Sequence, residues 1–181
     1  MVNIESLTPW IGREQRQDDV VSQTQAHRMA ALLDQDEQQW RSGDLLPAHW
    51  YPMLFGETAG QSRLGSDGHP RKGGFLPPVP LPRRMFAGRR VQFKQALHIG
   101  EQVCKQSRIQ AIAAKEGRSG PMCFVTVRHE ISGEQGVAVI EEQDIVYREA
   151  AGRIAEPARI APTAIARPRS ADRFKEGAAP G

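Results

Sequence analysis

The spacing of apolar residues predicts one helix in the N-terminal third of the chain. Over residues 20–34 an apolar side chain recurs every three or four positions, which places these side chains on one face of a helix. The face consists of Ala26, Met29, Ala30 and Leu33. Ser22 or Thr24 can cap the first turn. Because alanine is small, a β-sheet can pack closely around this helix.

The period changes to two after Met85 and predicts four strands, at residues 85–94, 103–114, 122–131 and 137–148. One side of the second strand is expected to show Ser107, Ile109, Ala111 and Ala113, and one side of the third strand Cys123, Val125, Val127 and Ile131. Turns separate consecutive strands, which predicts three hairpins and an antiparallel meander. A helix followed by such a sheet predicts an α+β fold.

A proline-rich, cationic segment at residues 67–93 leads into the first of these strands. Asp67-Gly68 predicts a turn, Gly73-Gly74 permits a close backbone approach, and four prolines keep the chain extended. Its six cations are Arg71, Lys72, Arg83, Arg84, Arg89 and Arg90. A solvated linker is the plain alternative. Large apolar residues within the segment favour packing and a functional role instead.

Composition indicates one globular domain. Of the 181 residues, 39% are apolar and 25% are charged. We expect the domain to span residues 1–150 and the Ala-, Pro- and Arg-rich residues 151–181 to form a disordered tail. No apolar run approaches the roughly 20 residues of a membrane helix, and the N-terminus lacks a signal-peptide layout. Cys104 and Cys123 are isolated, which favours reduced core positions in a cytoplasmic protein over a metal site.

The charge is distributed unevenly along the chain. Residues 1–60 carry a formal balance of −5, whereas residues 61–181 carry +8. A basic surface can meet nucleic acid, anionic lipid or a phosphorylated ligand. Nucleic-acid modules usually interleave aromatic residues with the cations as stacking platforms. Here the aromatic residues near the cations follow the apolar pattern of a core, so nucleic acid is not the favoured partner.

Three motifs carry a resemblance to a known family. They are GGFLPPVPLPRRMFAG, KEGRSGPMCFVTVRHE and EEQDIVYREA. In this order they resemble the N-terminal half of the MaoC-like, fungal fatty-acid-synthase-like hydratases. That family includes mesaconyl-C4-CoA and 3-methylfumaryl-CoA hydratases and mitochondrial hydroxyacyl-thioester dehydratases. The resemblance covers residues 8 to 150 and implies a hot-dog fold, with an antiparallel sheet wrapped around one main helix, and hydro-lyase chemistry on acyl thioesters.

The catalytic residues of that family have no clear counterpart in this sequence. MaoC-like hydratases use an Asp and a His from a segment resembling N-P-x-H-x-D, which is absent here. The nearest pair is Asp67 and His69, for which an Asx turn with a surface histidine is the alternative interpretation. His129 and Glu130 are adjacent in a strand and point to opposite faces. The resembled family continues with a second hot-dog half where the strand pattern of this chain stops.

We therefore expect a half-unit that shapes an acyl-CoA groove while a MaoC-like partner supplies Asp and His. Its isolated chain would be inactive, and it would form a homo- or heterodimer through an open sheet edge. Coenzyme A would enter only as part of the substrate. Its phosphates can be bound by arginine, lysine and glycine. The candidates are Arg71, Lys72, Gly73, Gly74, Arg83, Arg84 and Arg118. The alternatives are a non-enzymatic acyl-CoA-binding or scaffold subunit and, third, a nucleic-acid binder.

Overall fold

The computed structural model describes residues 3–36, 39–65, 67–117 and 120–150. Within these residues five strands form one antiparallel sheet. They are β1 at Glu14–Val20, β2 at Arg83–Phe93, β3 at Gln102–Gly117, β4 at Gly120–Gly133 and β5 at Gly136–Arg148. One α-helix, α1 at Gln23–Leu32, follows β1. The expected tail at residues 151–181 lies outside the described residues. Among the described helices, none is long and apolar enough to cross a membrane.

The helix predicted from the apolar spacing is confirmed, with a later start. Ser22 caps it by accepting the N–H of Gln25, and the Gln25 side chain accepts the N–H of Ser22 in return. Ala26 and Ala30 are fully buried, as their place on the apolar face predicts. Leu33 lies just beyond the last helical residue and is 48% exposed, so this end of the predicted face is wrong.

The strand order β1-β3-β4-β5-β2 corrects the predicted meander. The hairpins β3–β4 and β4–β5 are confirmed, but β2 pairs with β5 rather than with β3. β1 occupies the free edge of β3. The connection after β2 runs across the end of the sheet, because Lys94 N donates to Ala138 O and Gly100 N donates to Val21 O. β1 escaped prediction because its sequence, EQRQDDV, holds a single apolar residue.

A bulge in β3 corrects the predicted facing of that strand. The register with β4 shifts between Ile109 and Ala111. Ser107 and Ile109 share one face as expected, but after the bulge Ile112 takes the buried position and Ala111 is exposed. An extra residue in one strand exchanges the two faces beyond it, which a regular period of two cannot indicate.

One face of the sheet, here called the inner face, carries the core in two clusters. The first lies at the α1 end and joins the helix to Trp50, Leu54, Val103 and Val139 among others. The second lies at the other end and includes Leu7, Val79, Ile109, Val125 and Tyr147. The segment at residues 67–93 contributes to the second cluster. Val79 and Leu81 are buried, so the packed interpretation of that segment is confirmed over a solvated linker.

Candidate functional site

A cavity of about 890 Å³ lies on the inner face between the two core clusters. The sheet forms its floor, residues 51–59 form one wall, and residues 69–76 form another. Its apolar lining includes Leu54, Phe55, Val127, Ile131 and Ile145. A cavity of this size suits a small-molecule ligand, since ligand pockets commonly measure ~300–1,000 Å³.

Polar residues cross the floor of the cavity in a single row. Gln15, Ser107, His129 and Glu141 occupy successive paired positions on β1, β3, β4 and β5. We call these four residues the polar row. Apolar residues flank the row on β4, with Val127 before it and Ile131 after it. Polar groups at the centre of a sheet face that packs a core are unusual, because burial removes their hydration.

The centre of the row is a serine–histidine hydrogen bond. Ser107 Oγ lies 2.7 Å from His129 Nδ1. Burial lowers the pKa of His129, the positive charge of Lys105 lowers it further, and Glu141 and Gln143 oppose this only in part. The imidazole is therefore neutral at pH 7, and the tautomer decides whether Ser107 Oγ donates to His129 Nδ1 or accepts from it. Such a histidine can accept or donate one further hydrogen bond inside the cavity.

At the β5 end of the row, Glu141 is held by a tyrosine and an arginine. Tyr51 Oη donates to Glu141 Oε2 over 2.6 Å, and Arg89 Nε lies 3.8 Å from Glu141 Oε1. Burial, followed by the hydrogen bond to Glu141, raises the pKa of Tyr51 to about 12. The tyrosine therefore remains a donor across the physiological range, and the carboxylate is kept in place.

One cation of β3 projects into the cavity without a carboxylate bound to it. Lys105 Nζ lies 5.0 Å from the centroid of the Phe55 ring, and Lys105 forms no ion pair within the described part of the chain. Burial lowers the pKa of this ammonium group, and surrounding carboxylates oppose the effect in part. The cavity therefore has a positive centre beside the Ser107–His129 pair.

Comparisons with known proteins place this chain in a family. A family model described as hydroxyacyl-thioester dehydratase type 2 matches residues 49–175. Mesaconyl-C(4)-CoA hydratase from Chloroflexus aurantiacus is 43% identical over 148 residues, which cover 82% of this chain and 53% of that protein. This chain belongs to the type 2 hydroxyacyl-thioester dehydratase family. It spans about half the length of the curated relative that it matches.

One solved structure supports the fold of this family member. A chain of the ChsH1–ChsH2 complex from Mycobacterium tuberculosis matches with a TM-score of 0.60 at 11% identity, over 83% of this chain and 93% of that one. The unliganded R-hydratase PhaJ1 from Pseudomonas aeruginosa gives a TM-score of 0.48 at 12% identity, over 83% and 91% of the two chains. The fold is the α+β hot-dog fold that the sequence motifs implied, and the expected family is confirmed.

In this hydroxyacyl-thioester dehydratase family member, the candidate catalytic pair lies in a tight turn at the cavity wall. The Asp67 carboxylate accepts the backbone N–H of His69 over 3.2 Å and pairs with Arg84 over 3.1 Å. Slight burial of Asp67 favours the neutral acid, but these two donors prevail and hold its pKa below the usual value. Gly68 follows with φ of +76°, which confirms the predicted turn. The His69 side chain lines the cavity and is exposed.

The candidate phosphate-binding residues are distributed unequally around the same wall. Those that line the cavity are Arg71, Lys72, Gly73, Gly74 and Arg84, whereas Arg83 is exposed and does not line it. Arg118 lies outside the described residues. Lys72 Nζ donates to Val79 O and Leu81 O over 2.7 and 2.8 Å. It therefore braces the proline-rich segment. Arg84 Nη2 donates to Pro70 O in addition to its pair with Asp67.

Of the three candidate cations that line the cavity, Arg71 has the weakest side-chain contacts. It is exposed, and its Nε lies 3.5 Å from Leu64 O. Gly73 adopts φ of +91°, a backbone conformation that a side chain would strain, and its N–H donates to Leu76 O. Together with exposed Arg63, Arg71 gives the rim of the cavity a positive charge near solvent.

The residues of the cavity floor were missed by the sequence interpretation, although one of them, His129, carried a signal. The predicted face of the third strand included Val127 and Ile131. His129 lies two positions from each of them, so its side chain points to the same face. A histidine within an apolar face is a visible break in the pattern. Lys105 and Glu141 gave no such signal, because their position depends on which strands pair. Among the described residues, no group of three His, Cys, Asp or Glu side chains could hold a metal ion.

Proposed function

We propose that this chain is a hot-dog half-unit of an enoyl-CoA hydratase or (R)-3-hydroxyacyl-thioester dehydratase. In this role it shapes the groove for the acyl-CoA thioester, and a partner supplies the catalytic Asp and His. The observation that carries the proposal is the cavity, which combines apolar walls, a polar row and a cationic rim in a member of this family. The half-length match to a CoA hydratase supports the same role.

The lining of the cavity suits the parts of an acyl-CoA thioester. Apolar carbon atoms of the acyl group would contact Phe55, Val127 and Ile145. The coenzyme A phosphates would remain near solvent at Arg63 and Arg71, where charge-assisted hydrogen bonds to phosphate are available. Coenzyme A is then part of the substrate and not a resident cofactor. The cytoplasmic setting expected from the sequence remains part of this proposal.

Hydration of an enoyl thioester needs a base for water, an acid for the α-carbon and donors for the enolate oxygen. In this chain the Asp67 carboxylate is engaged by Arg84 and by the His69 backbone, and the His129 Nδ1 is engaged by Ser107. Because the Asp67 carboxylate and the His129 Nδ1 are already hydrogen-bonded within the chain, these residues suit a role in positioning the ligand rather than in proton transfer. We therefore assign the acid–base step to a partner chain.

The edge strand β2 offers the surface for such a partner. An edge strand presents unpaired backbone groups that can pair with another chain. Three large apolar side chains of β2 are exposed: Met85 at 37%, Phe86 at 55% and Phe93 at 41%. A MaoC-like chain or a second copy of this chain would cover them. The dimer is the arrangement that we propose for function.

The test is a spectrophotometric assay of enoyl-thioester hydration, run on the purified chain and on the chain mixed with a candidate MaoC-like partner. Positioned acid–base catalysis contributes typically ~10²–10⁴-fold. We expect turnover barely above background for the chain alone and a rise of about that size in the mixture. Robust activity of the lone chain that is lost in Asp67→Asn or His69→Ala would contradict the half-unit proposal and place the active site at that turn.

A non-enzymatic acyl-CoA-binding subunit is the second candidate. The engagement of the Asp67 carboxylate by Arg84 is compatible with it, but the same contact fits a half-unit whose partner supplies the acid–base pair. The two candidates differ in the same assay. Thioester binding without any gain of turnover when MaoC-like partners are added would favour the binding subunit.

A further inference from the structure

Phe55 adopts a backbone conformation that is rare for a residue with a large side chain. Its φ is +59°, in the left-handed region that favours glycine. It follows the short 3₁₀ helix Ala48–Met53, and helices that end in this conformation usually do so with glycine. Glycine would hold the same backbone without strain. The presence of phenylalanine therefore calls for an explanation in its side chain, because strained residues are concentrated at functional sites.

Two contacts hold Phe55 in this strained conformation. Its backbone N–H donates to Asp19 Oδ2 over 2.6 Å, and its ring centroid lies 5.0 Å from Lys105 Nζ. The side chain is only 6% exposed. The carboxylates of Asp19, Glu57 and Glu141 attract the charge of Lys105, so this lysine already has acidic neighbours within the fold. The contacts therefore fix the position of the Phe55 ring.

The Phe55 ring lies at the end of the cavity that is nearest to α1. Phe55 belongs to the first core cluster and also lines the cavity. Lys105, which contacts the ring, precedes Ser107 of the polar row by two positions on β3, on the side of the first cluster. Two residues of a strand span about 7 Å. The ring is therefore close to the polar row and separates it from the core under α1.

The cationic rim lies toward the opposite end of the cavity. Arg84 of β2 holds the rim segment through Asp67 and the carbonyl of Pro70. Arg84 pairs across the strands with Tyr147, which belongs to the second core cluster. A ligand whose phosphates lie at the rim would therefore extend across the polar row toward Phe55.

We propose that Phe55 is a specificity-determining residue that closes the inner end of the cavity, so that the preferred ligands carry short acyl chains. This inference rests on the proposed function, because it takes the ligand to be an acyl-CoA thioester. Leu54 and Ile131 line the same end, which makes it apolar and suited to the last carbon atoms of an acyl chain. A glycine at position 55 would relieve the strain but leave this compartment open toward the first core cluster.

Phe55→Gly and Phe124→Ala form a matched pair of variants. Because glycine fits the left-handed backbone, Phe55→Gly removes the ring without adding strain. Phe124 also packs on a lysine, since Lys115 Nζ lies 5.0 Å from its ring centroid, but Phe124 does not line the cavity. Both substitutions remove a phenylalanine ring beside a lysine and leave the net charge unchanged, so the position of the ring is the main difference.

Titration calorimetry with butyryl-CoA and octanoyl-CoA measures the length of the acyl compartment. The two thioesters differ only in the length of a saturated chain, which cannot be hydrated. Each further methylene buried in an open apolar compartment should tighten binding about fourfold. We expect wild-type protein to bind octanoyl-CoA no more tightly than butyryl-CoA. Phe55→Gly should prefer octanoyl-CoA by at least about tenfold, Phe55→Leu should be intermediate, and Phe124→Ala should behave as wild type.

Each outcome decides the proposal. A preference of wild-type protein for octanoyl-CoA, an unchanged ratio in Phe55→Gly, or an equal change in Phe124→Ala would overturn the role of Phe55 and leave the half-unit function standing. Loss of both thioesters in Phe55→Gly alone would also overturn it. If neither thioester binds to wild-type protein, the proposed function fails together with this inference. Thermal unfolding verifies that each variant is folded. Should Phe55→Gly not fold, Phe55→Ala replaces it, and the wild-type comparison stands by itself.

Discussion

The two faces of the same sheet treat charged residues in different ways. On the outer face, Arg90 of β2 pairs with Glu142 and Asp144 of β5 over 2.9 and 2.8 Å, and Arg128 of β4 pairs with Glu130 over 2.9 Å. On the inner face, charged groups are few and lie at the cavity, where Lys105 has no carboxylate bound to it among the described residues.

The outer-face charges are therefore paired with one another, whereas Lys105 on the inner face forms no ion pair among the described residues. Arg90 is 58% exposed, and exposed ion pairs contribute little to stability because water and salt screen them. Inner-face charges lose hydration, so each must be compensated by a partner within the fold or by a ligand.

Removal of the Tyr51 hydroxyl should give the largest change in the free energy of unfolding. It tests whether charges on the inner face depend on their partners more than charges on the outer face do. Tyr51→Phe leaves the buried Glu141 carboxylate without its 2.6 Å donor. We expect a loss of about 1–3 kcal/mol in the free energy of unfolding, measured with urea. Tyr147→Phe is the matched control, because Tyr147 Oη is buried without a hydrogen-bond partner among the residues described. Equal losses in the two variants would show that the Tyr51–Glu141 bond contributes nothing particular.

The pH dependence of stability should reveal the neutral imidazole of the inner face. Burial holds the pKa of His129 below its ordinary value of 6.5, so below pH 6.5 the unfolded chain binds more protons than the folded chain. The free energy of unfolding should therefore fall as the pH drops from 7.5 to about 5.5. His129→Gln should weaken this slope. Parallel slopes in wild-type protein and variant would contradict a buried, neutral His129.

The smallest change in the free energy of unfolding is expected from a substitution on the outer face. Arg90→Gln removes both pairs of Arg90, yet these charges are solvated and screened. The change in the free energy of unfolding should be smaller than that of Tyr51→Phe and should shrink further when salt is added. Urea unfolding at low and high salt measures it. A large loss that is insensitive to salt would break the distinction between the two faces.

The sequence predicted the elements better than their arrangement. Period-two alternation found β2 to β5, and the apolar spacing with Ser22 found α1, because these signals are local. Two strand pairings were not predicted: β2 pairs with β5, and β1 pairs with β3. These contacts join residues far apart in sequence, and the alternation of apolar and polar residues does not encode them. The bulge after Ile109 is likewise invisible to a regular period.

The same distinction explains what was found and what was missed at the site. Residues of the segment 67–76 were predicted from local composition, and several of them do line the cavity. The polar row consists of residues from four strands, and apart from His129 each is unremarkable in its own segment. Only the pairing of Ser107 with His129 and of His129 with Glu141 brings them together. A functional site built across strands requires the register, and the register comes from the fold.

A crystal structure of this chain bound to a non-hydrolysable thioether analogue of mesaconyl-C4-CoA tests the central claim most directly. We predict that the acyl group lies in the inner-face cavity against Ser107 and His129, with the coenzyme A phosphates near Arg63 and Arg71. An acyl group bound on the outer face, or bound at the rim with the cavity floor uncontacted, would contradict the assignment of this cavity as the ligand site.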